Sequence, residues 1–175
     1  MNALIKKVFE QVKTENLILR KPSEADAYAV LEIEGDPKTN TYRPSGPMKN
    51  IEEALEKIEL WNKDWITYGC GYWMISEHKR SDVVGIGGVR NINWQGREVL
   101  NLYYRFSPKF WGRGYAAEVA RYSVYLAREH LSELPIISRV RPSNIPSLRV
   151  AEKSGLLRHP SLDSAEHIVF TSGWD

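Results

Sequence analysis

Two glycines one residue apart, Gly112 and Gly114, carry the clearest chemical signal in this sequence. They stand in Ser107-Pro108-Lys109-Phe110-Trp111-Gly112-Arg113-Gly114-Tyr115-Ala116-Ala117-Glu118, between an apolar run, Val99 to Phe106, and a segment of helical periodicity. Glycine reaches backbone conformations closed to other residues, so several successive N–H groups can turn into one concavity where the helix begins. A concavity at the positive end of a helix binds anions such as phosphates. The alternative is an ordinary strand-to-helix turn that happens to hold two glycines. Read as Gly112-x-Gly114-x-x-Ala117, the loop also matches the weak form of the dinucleotide fingerprint. That fingerprint belongs to the first unit of a parallel sheet and needs an acidic residue about 20 positions on, at the end of the next strand. Here the next strand ends in Val140-Arg141-Pro142, and only about one further helix–strand pair follows. A P-loop is excluded because no Gly-Lys-Ser/Thr closes the turn.

The elements that must position this loop follow from periodicity. Leu4, Ile5, Val8, Phe9 and Val12 recur at helical spacing and predict a packed amphipathic arm over residues 1–13. Asn16 to Arg20 reads as a strand stopped by Lys21-Pro22. Ser23, with Asp26 three residues on, opens a helix to about Ile33, ended by Gly35-Asp36-Pro37. The stretch from Lys38 to Lys49 is too rich in turn formers for a regular element. Asn50 and Glu53 open a second helix to about Trp65, with Ile51, Ala54, Leu55, Ile58 and Trp61 on its apolar face. Tyr72 to Ser76, Val83 to Asn91 and Val99 to Phe106 follow as strands, and Gly85, Gly87 and Gly88 in the second suggest a bulge or a close backbone approach. The helix after the loop places Ala116, Val119, Ala120, Ser123, Ala127 and His130 on one face, with Leu126 at its edge. Pro135 to Val140 is a strand, Ser143 to Ser154 a short helix closed by Gly155, and Leu156 to Leu162 with His167 to Thr171 a closing hairpin. The expectation is a single α/β (α+β) domain over residues 1–175, mixed and mostly antiparallel, with about seven strands and about four helices. Its one parallel crossover runs through the helix of the glycine loop.

Composition narrows the function. The 175 residues are 42% hydrophobic, enough for one core, and the formal charge is +2 with the basic residues scattered, which gives no nucleic-acid arm. One cysteine, Cys70, allows no internal disulfide, and the four histidines (His78, His130, His159, His167) are too far apart in sequence to suggest a metal site. No apolar run approaches the roughly 20 residues of a membrane span. A cytoplasmic protein without a metal is expected, and a homodimer is left open.

At Trp111-Gly112-Arg113-Gly114-Tyr115-Ala116-Ala117-Glu118 the chain resembles the GNAT acyltransferases, and within them the ribosomal-protein N-acetyltransferases of the RimJ/RimL type. A second block, Arg141-Pro142-Ser143-Asn144-Ile145-Pro146-Ser147-Leu148-Arg149-Val150-Ala151-Glu152-Lys153-Ser154-Gly155-Leu156, is similar to the family's Asn-x-x-Ser helix and its Glu-Lys-x-Gly-Phe ending. Thr14-Glu15-Asn16-Leu17-Ile18-Leu19-Arg20 looks like the branch's first strand. The resemblance implies a fold in which two central strands, here Val99 to Phe106 and Pro135 to Val140, splay into a V that receives acetyl-CoA. It implies further that Phe106, Lys109, Phe110, Trp111, Gly112, Arg113, Gly114, Tyr115 and Ala116 hold the cofactor, the backbone N–H groups from about Phe110 to Ala116 taking the pyrophosphate. Lys109 stands where the family has Arg or Gln, which keeps a charge and loses the planar fork.

The implied reaction is direct attack of an amine on the thioester, with placement supplying much of the rate. By resemblance, Asn144 contacts the cofactor and Ser147 gives a hydrogen bond or a proton to the leaving thiolate; Asn144 or Ser143 as a simple helix cap is the equal alternative. Relatives often carry a Glu in the strand before the loop, and here the aligned residue is Asn101, which cannot accept a proton. At pH 7 an α-amine of pKa near 8 is about a tenth neutral, whereas a lysine of pKa near 10.4 is about 0.04% neutral. The acceptor is therefore expected to be an N-terminal α-amine or another amine of low pKa, unless Glu98 or a loop residue serves as base. Tyr42, Arg43, Trp65 and Tyr72 are the candidate acceptor-binding residues, with Arg43 suited to a carboxylate; Trp61 and Trp73 are expected in the core. A non-catalytic acyl-CoA-binding module of the same fold is the second reading, and the absent Glu keeps it open.

Overall fold

The computed structural model describes residues 3–175, with side chains from residue 7 onward. The packing of Leu4 and Ile5 therefore lies outside the described residues. The described chain forms eight strands in one sheet, ordered β1-β2-β3-β4-β5-β6-β8-β7: β1 (Gln11–Lys13), β2 (Leu17–Arg20), β3 (Tyr72–Glu77), β4 (Val83–Trp94), β5 (Arg97–Phe106), β6 (Ile136–Val140), β7 (Leu157–Arg158) and β8 (Ile168–Ser172). Five helices accompany them: α1 (Ala3–Glu10), α2 (Ala27–Gly35), α3 (Ile51–Tyr68), α4 (Tyr115–His130) and α5 (Ile145–Lys153). The strand and the helix beyond the expected numbers both come from the N-terminal arm. There Trp73 donates its indole N–H to the Phe9 carbonyl at 2.7 Å, and β1 pairs antiparallel with β2.

Strand alternation sends two sets of apolar side chains to opposite faces. On one face Leu100, Leu102 and Phe106 pack with Val119, Ala120 and Val124 of α4. On the other, Tyr72, Met74 and Ile86 pack with Val30 and Ile33 of α2 and Ala54, Ile58 and Trp61 of α3. Helix α3 begins where expected, with the Asn50 side chain accepting the Glu53 N–H at 3.0 Å. It runs past Trp65 to Tyr68 because Gly69, at φ 69°, supplies the left-handed turn that caps it. Leu55 lies on its outer, exposed face.

Both expectations for the β4 glycines hold. The β3–β4 register slips by one between Ile75↔Gly85 and Ser76↔Val83, a bulge. The Phe106 ring covers Gly85 so closely that a Cβ there would lie 2.4 Å from it. Only two registered pairs, Leu100↔Ile136 and Asn101↔Ile137, join the parallel strands β5 and β6. Beyond Asn101, β5 continues to Phe106 while β6 pairs with β8 on its other side. The sheet opens there as a V, with Asn101 at its apex.

Candidate active site

The opening of the V presents backbone polar groups. The Leu100 N–H donates to the Pro135 carbonyl at 2.8 Å, so by alternation the peptide groups of Leu102 and Tyr104 face the same side, where β6 has diverged. At the end of β5 a short 3-10 turn, Pro108–Phe110, leads into the glycine loop. Gly112 and Gly114 have φ of 76° and 79°, and a Cβ on either would meet nothing within 4 Å, so both are demanded by conformation and not by crowding. The Phe110 and Trp111 N–H groups are already bonded to the Ser107 and Pro108 carbonyls. These two N–H groups, expected to belong to the anion cradle, are thus already satisfied within the turn. The loop's N–H groups without a backbone acceptor run from Gly112 into the first turn of α4, whose N–H groups have no intrahelical acceptor.

Side chains around the loop are engaged with protein partners. Arg113 donates to Glu77 at 3.0 Å and lies 4.9 Å from the Phe110 ring centroid, while the Tyr115 hydroxyl donates to the same Glu77 oxygen. Exposed Lys109 pairs with exposed Glu32 at 3.1 Å. Trp111 is half-exposed and donates its indole N–H to the Phe106 carbonyl at 2.8 Å.

The second motif lies across the V. Asn144 caps α5, its side-chain oxygen accepting the Ser147 N–H at 3.2 Å. Half-buried Ser147 offers its carbonyl to the Tyr104 hydroxyl at 3.0 Å, a contact that ties β5 to α5 beyond the point where the strands part. Burial pushes the Tyr104 hydroxyl up to about 12, so it stays a donor across the neutral range.

Asn101 faces the α2/α3 side. Its amide donates to the Tyr72 hydroxyl at 2.8 Å, and Tyr72 stacks on Tyr103 with ring centroids 4.8 Å apart. Burial raises the Tyr72 phenol to about 12, so it too remains protonated. Arg90, directly opposite Asn101 on β4, lies over the Tyr72 ring at 5.8 Å and pairs with Asp64 of α3 at 2.8 Å. Desolvation raises the Asp64 carboxyl against the opposing pull of Arg90. The Tyr103 hydroxyl donates to Glu34, which also receives Arg43 at 2.6 Å and Arg105 at 3.4 Å. Glu34 is only 2% exposed, so this is a buried carboxylate shared by two cations and a phenol.

Two of the acceptor-side expectations change. Trp65 does not line a cleft: it is 4% exposed, and its indole N–H is spent on the Tyr72 carbonyl at 3.1 Å. The Arg43 guanidinium binds Glu34 and borders a hollow of about 540 Å³ between residues 45–49 and α3 whose lining includes neither Tyr72 nor Asn101. Tyr42 is partly exposed on the same loop, while Trp61 and Trp73 are core residues as expected. Glu34, Asp64 and Arg90 were not anticipated. Their signal was a charged residue on an otherwise apolar stripe: Glu34 follows Val30 and Ile33 on α2, and Asp64 follows Trp61 on α3. Among the described residues no group of three His, Cys, Asp or Glu is placed to hold a metal ion, and no helix is long and apolar enough to cross a membrane.

Known proteins are similar to this chain in sequence and in fold. The uncharacterized N-acetyltransferase p20 of Bacillus licheniformis is 26% identical over 155 residues, covering 85% of this chain and 86% of its own. The acetyltransferase of Agrobacterium tumefaciens str. C58 superposes with a TM-score of 0.79 at 26% identity over 93% of both chains. RimL, the ribosomal L7/L12 alpha-N-protein acetyltransferase crystallised with coenzyme A, shares the fold at a TM-score of 0.69 and 12% identity, covering 95% of this chain and 100% of RimL. The model of the acetyltransferase (GNAT) domain matches residues 16–157, from β2, through the splayed V and its glycine loop, to the start of β7, and the chain belongs to the GNAT acetyltransferases.

Proposed function

We propose that this protein transfers the acetyl group of acetyl-CoA to a primary amine, a protein N-terminal α-amine or a small-molecule amine, by direct attack within a ternary complex. The observation that carries the reading is the V itself. Strand β5 loses its partner after Asn101, and the free edge leads to a loop whose two glycines are both left-handed. The free peptide groups of Leu102 and Tyr104 suit the amide-bearing pantetheine arm, and the N–H groups from Gly112 into α4 suit its pyrophosphate. Arg113, once released from Glu77, is a candidate cation for a phosphate. Ser147 is proposed as the hydrogen-bond donor to the leaving thiolate, with Asn144 holding the turn that presents it. RimL, of the same fold, was crystallised with coenzyme A.

The amine must lose a proton before or during attack. Asn101 has no basic atom, and its amide hydrogen bond to Tyr72 leaves the carboxamide oxygen available to orient the incoming N–H. Deprotonation then falls to water, which favours amines of low pKa. For a peptide α-amine, kcat/KM is expected to rise with pH up to about 8, without an inflection in the carboxylate range. Asn101→Glu is expected to add such an inflection. Faster turnover of an ε-amine than of its α-amine counterpart would contradict the preference.

Calorimetric titration with acetyl-CoA, followed by an acceptor screen beginning with N-terminal peptides, tests the whole reading. Binding without turnover of any peptide, polyamine, amino acid or aminoglycoside would leave a non-catalytic acyl-CoA-binding module. Gly114→Val checks the loop. A β-branched residue at φ 79° costs about 1–2 kcal/mol and forces the loop backbone to shift, so acetyl-CoA affinity is expected to fall about tenfold or more. Unchanged affinity would place the pyrophosphate elsewhere.

A further inference from the structure

Beside Asn101 the α2/α3 face carries a cluster of arginines and tryptophans that the V does not explain. Trp94 and Arg97 are directly opposite each other at the tip of the β4–β5 hairpin. Trp174, just past β8, meets Trp94 with ring centroids 5.0 Å apart, and Arg97 lies 4.9 Å from the Trp174 ring while donating to the Trp174 carbonyl. Arg139 on β6 reaches within 5.8 Å of the Trp94 ring. Strand β5 lies between β4 and β6, so a contact from Trp94 to Arg139 must pass over β5. It passes on the face that holds Val99 and Asn101, because Arg97, Val99 and Asn101 alternate onto one side. Ile137, paired with Asn101, and Arg139 follow along β6 at a two-residue step of about 6.6 Å, and Arg141 comes one residue past the end of that strand.

The charge of this rim is uncompensated. On the same face, Arg43 and Arg105 share Glu34, and Arg90 has Asp64. Among the described residues no carboxylate lies within ion-pair distance of Arg97, Arg139 or Arg141. His167 lies in the same field: desolvation, then Arg139 and Arg141, lower its pKa, and only Glu166, which is exposed, opposes them. Glu98 is on the opposite face of β5, and Asp175 is beside His159. Exposed Arg139 is held against Trp94 by a cation–π contact alone, which leaves its N–H donors in the guanidinium plane for an anion.

Building on the acetyltransferase reading, we propose that Arg97, Arg139 and Arg141, with Trp94 and Trp174 as the apolar wall, form an acceptor subsite that selects a peptide amino terminus followed by acidic side chains. The reacting amine sits at Asn101, and the chain leaves across the arginine rim. The line of cations from the hairpin tip to the end of β6 is longer than a small amine can span, and same-side residues of an extended peptide repeat at the two-residue step of β6.

The test compares three tetrapeptide amides, Ala-Glu-Asp-Glu, Ala-Gln-Asn-Gln and Ala-Lys-Arg-Lys, as acceptors with acetyl-CoA. The acidic peptide is expected to exceed the neutral one in kcat/KM by roughly tenfold to a hundredfold, the range for charge-assisted hydrogen bonds. The gap should narrow in 0.5 M salt. The acidic-to-neutral ratio should collapse towards one in Arg139→Gln/Arg141→Gln, survive in part in Arg139→Lys, and invert in favour of the basic peptide in Arg139→Glu/Arg141→Glu. Equal turnover of acidic and neutral peptides, or a preference untouched by these variants, overturns the subsite while leaving the acetyltransferase reading intact. If no peptide is acetylated, the acetyltransferase reading fails for peptides, and fluorescence anisotropy of the labelled acidic peptide still decides the subsite. Binding lost in Arg139→Gln/Arg141→Gln supports it, and no binding overturns it.

Discussion

Glu34→Ala is expected to remove about 3–5 kcal/mol of folding stability, the usual effect of stripping one partner from a buried ion pair. The melting temperature should then fall by roughly 6–20 °C, at about 2–4 °C per kcal/mol for a chain of this size. The size of the effect follows from what Glu34 holds. Arg43 and Arg105 would keep two charges with no counter-ion in a poorly solvated site, and the Tyr103 hydroxyl would lose its acceptor. In the wild type, burial first and the Glu34 charge second keep the Tyr103 phenol well above its ordinary pKa. The loop from residue 38 to 49 would loosen as well. Arg43 anchors it through the Glu34 side chain, while Asn40 and Met48 anchor it through the Glu34 carbonyl, which the substitution leaves in place. Loss should therefore be partial in the loop and complete in the charge cluster. Removing a cation along with the carboxylate, as in Glu34→Ala/Arg105→Met, should recover part of the stability, and thermal melts of the three proteins check it. Equal melting of wild type and Glu34→Ala would mean that water already compensates the two arginines.

The contrast between Glu34 and the glycine loop explains which parts of the molecule were legible from sequence. The loop declared itself because its chemistry is local: two glycines, the strand before them and the helix after them form one continuous stretch from Arg97 to His130 and require no distant partner. Strands β2 to β6 were legible for the same reason, since alternation is a local property. Strand β1 was not. Val12 continues the helical spacing of Val8 and Phe9 and at the same time points inward from a three-residue strand, so one apolar residue satisfied both periods. The parallel pairing and its splay were expected from the resemblance, and the structure adds that β6 favours β8, five pairs against two. Trp65 looked like a cleft residue because aromatics near a site and aromatics in a core have the same spacing. Its partner, the Tyr72 carbonyl, belongs to the next element. Apart from the nearby Arg43, the partners of Glu34 are Tyr103 and Arg105 on β5, Asp64 pairs with Arg90 on β4, and Trp94 meets Trp174 past β8, separations that no periodicity encodes.

Glu118→Gln and Glu118→Ala probe a second buried carboxylate, one that sits inside the loop motif yet touches no part of the V. It is 3% exposed in the first turn of α4, and accepts hydrogen bonds from the Thr14 hydroxyl, the Asn16 N–H at 2.9 Å and the Asn16 side-chain amide at 2.8 Å. Its position near the helix N-terminus adds a favourable interaction with the dipole. Alanine removes three hydrogen bonds, leaving the two Asn16 donors without an acceptor while the Thr14 hydroxyl keeps the Leu17 carbonyl, and is expected to cost about 3 kcal/mol, at about 1 kcal/mol per hydrogen bond, which corresponds to a fall of roughly 6–12 °C in melting temperature. Because the same contacts hold the start of α4 against the β1–β2 turn, acetyl-CoA affinity should weaken too. The pH dependence separates this clamp from general damage. Desolvation pushes the Glu118 carboxyl up, but the bonds from Thr14 and Asn16 outweigh it and hold the folded-state pKa below the ordinary glutamate value of 4.5. The unfolded chain therefore binds more protons in that window, and stability rises with pH across it. The contribution is complete above the unfolded pKa and is lost as pH falls through the folded one. Other carboxylates with lowered pKa, including Asp26 and Asp163, impose the same trend on the whole protein, so the informative quantity is the difference between wild type and Glu118→Gln. Above about pH 5 that difference should be full and constant. It should shrink as pH falls towards 3, because a protonated Glu118 offers the three donors little more than a glutamine does. A difference that stays constant over the whole range would mean that the carboxylate is held by shape alone and that its charge contributes nothing to anchoring the glycine-loop helix.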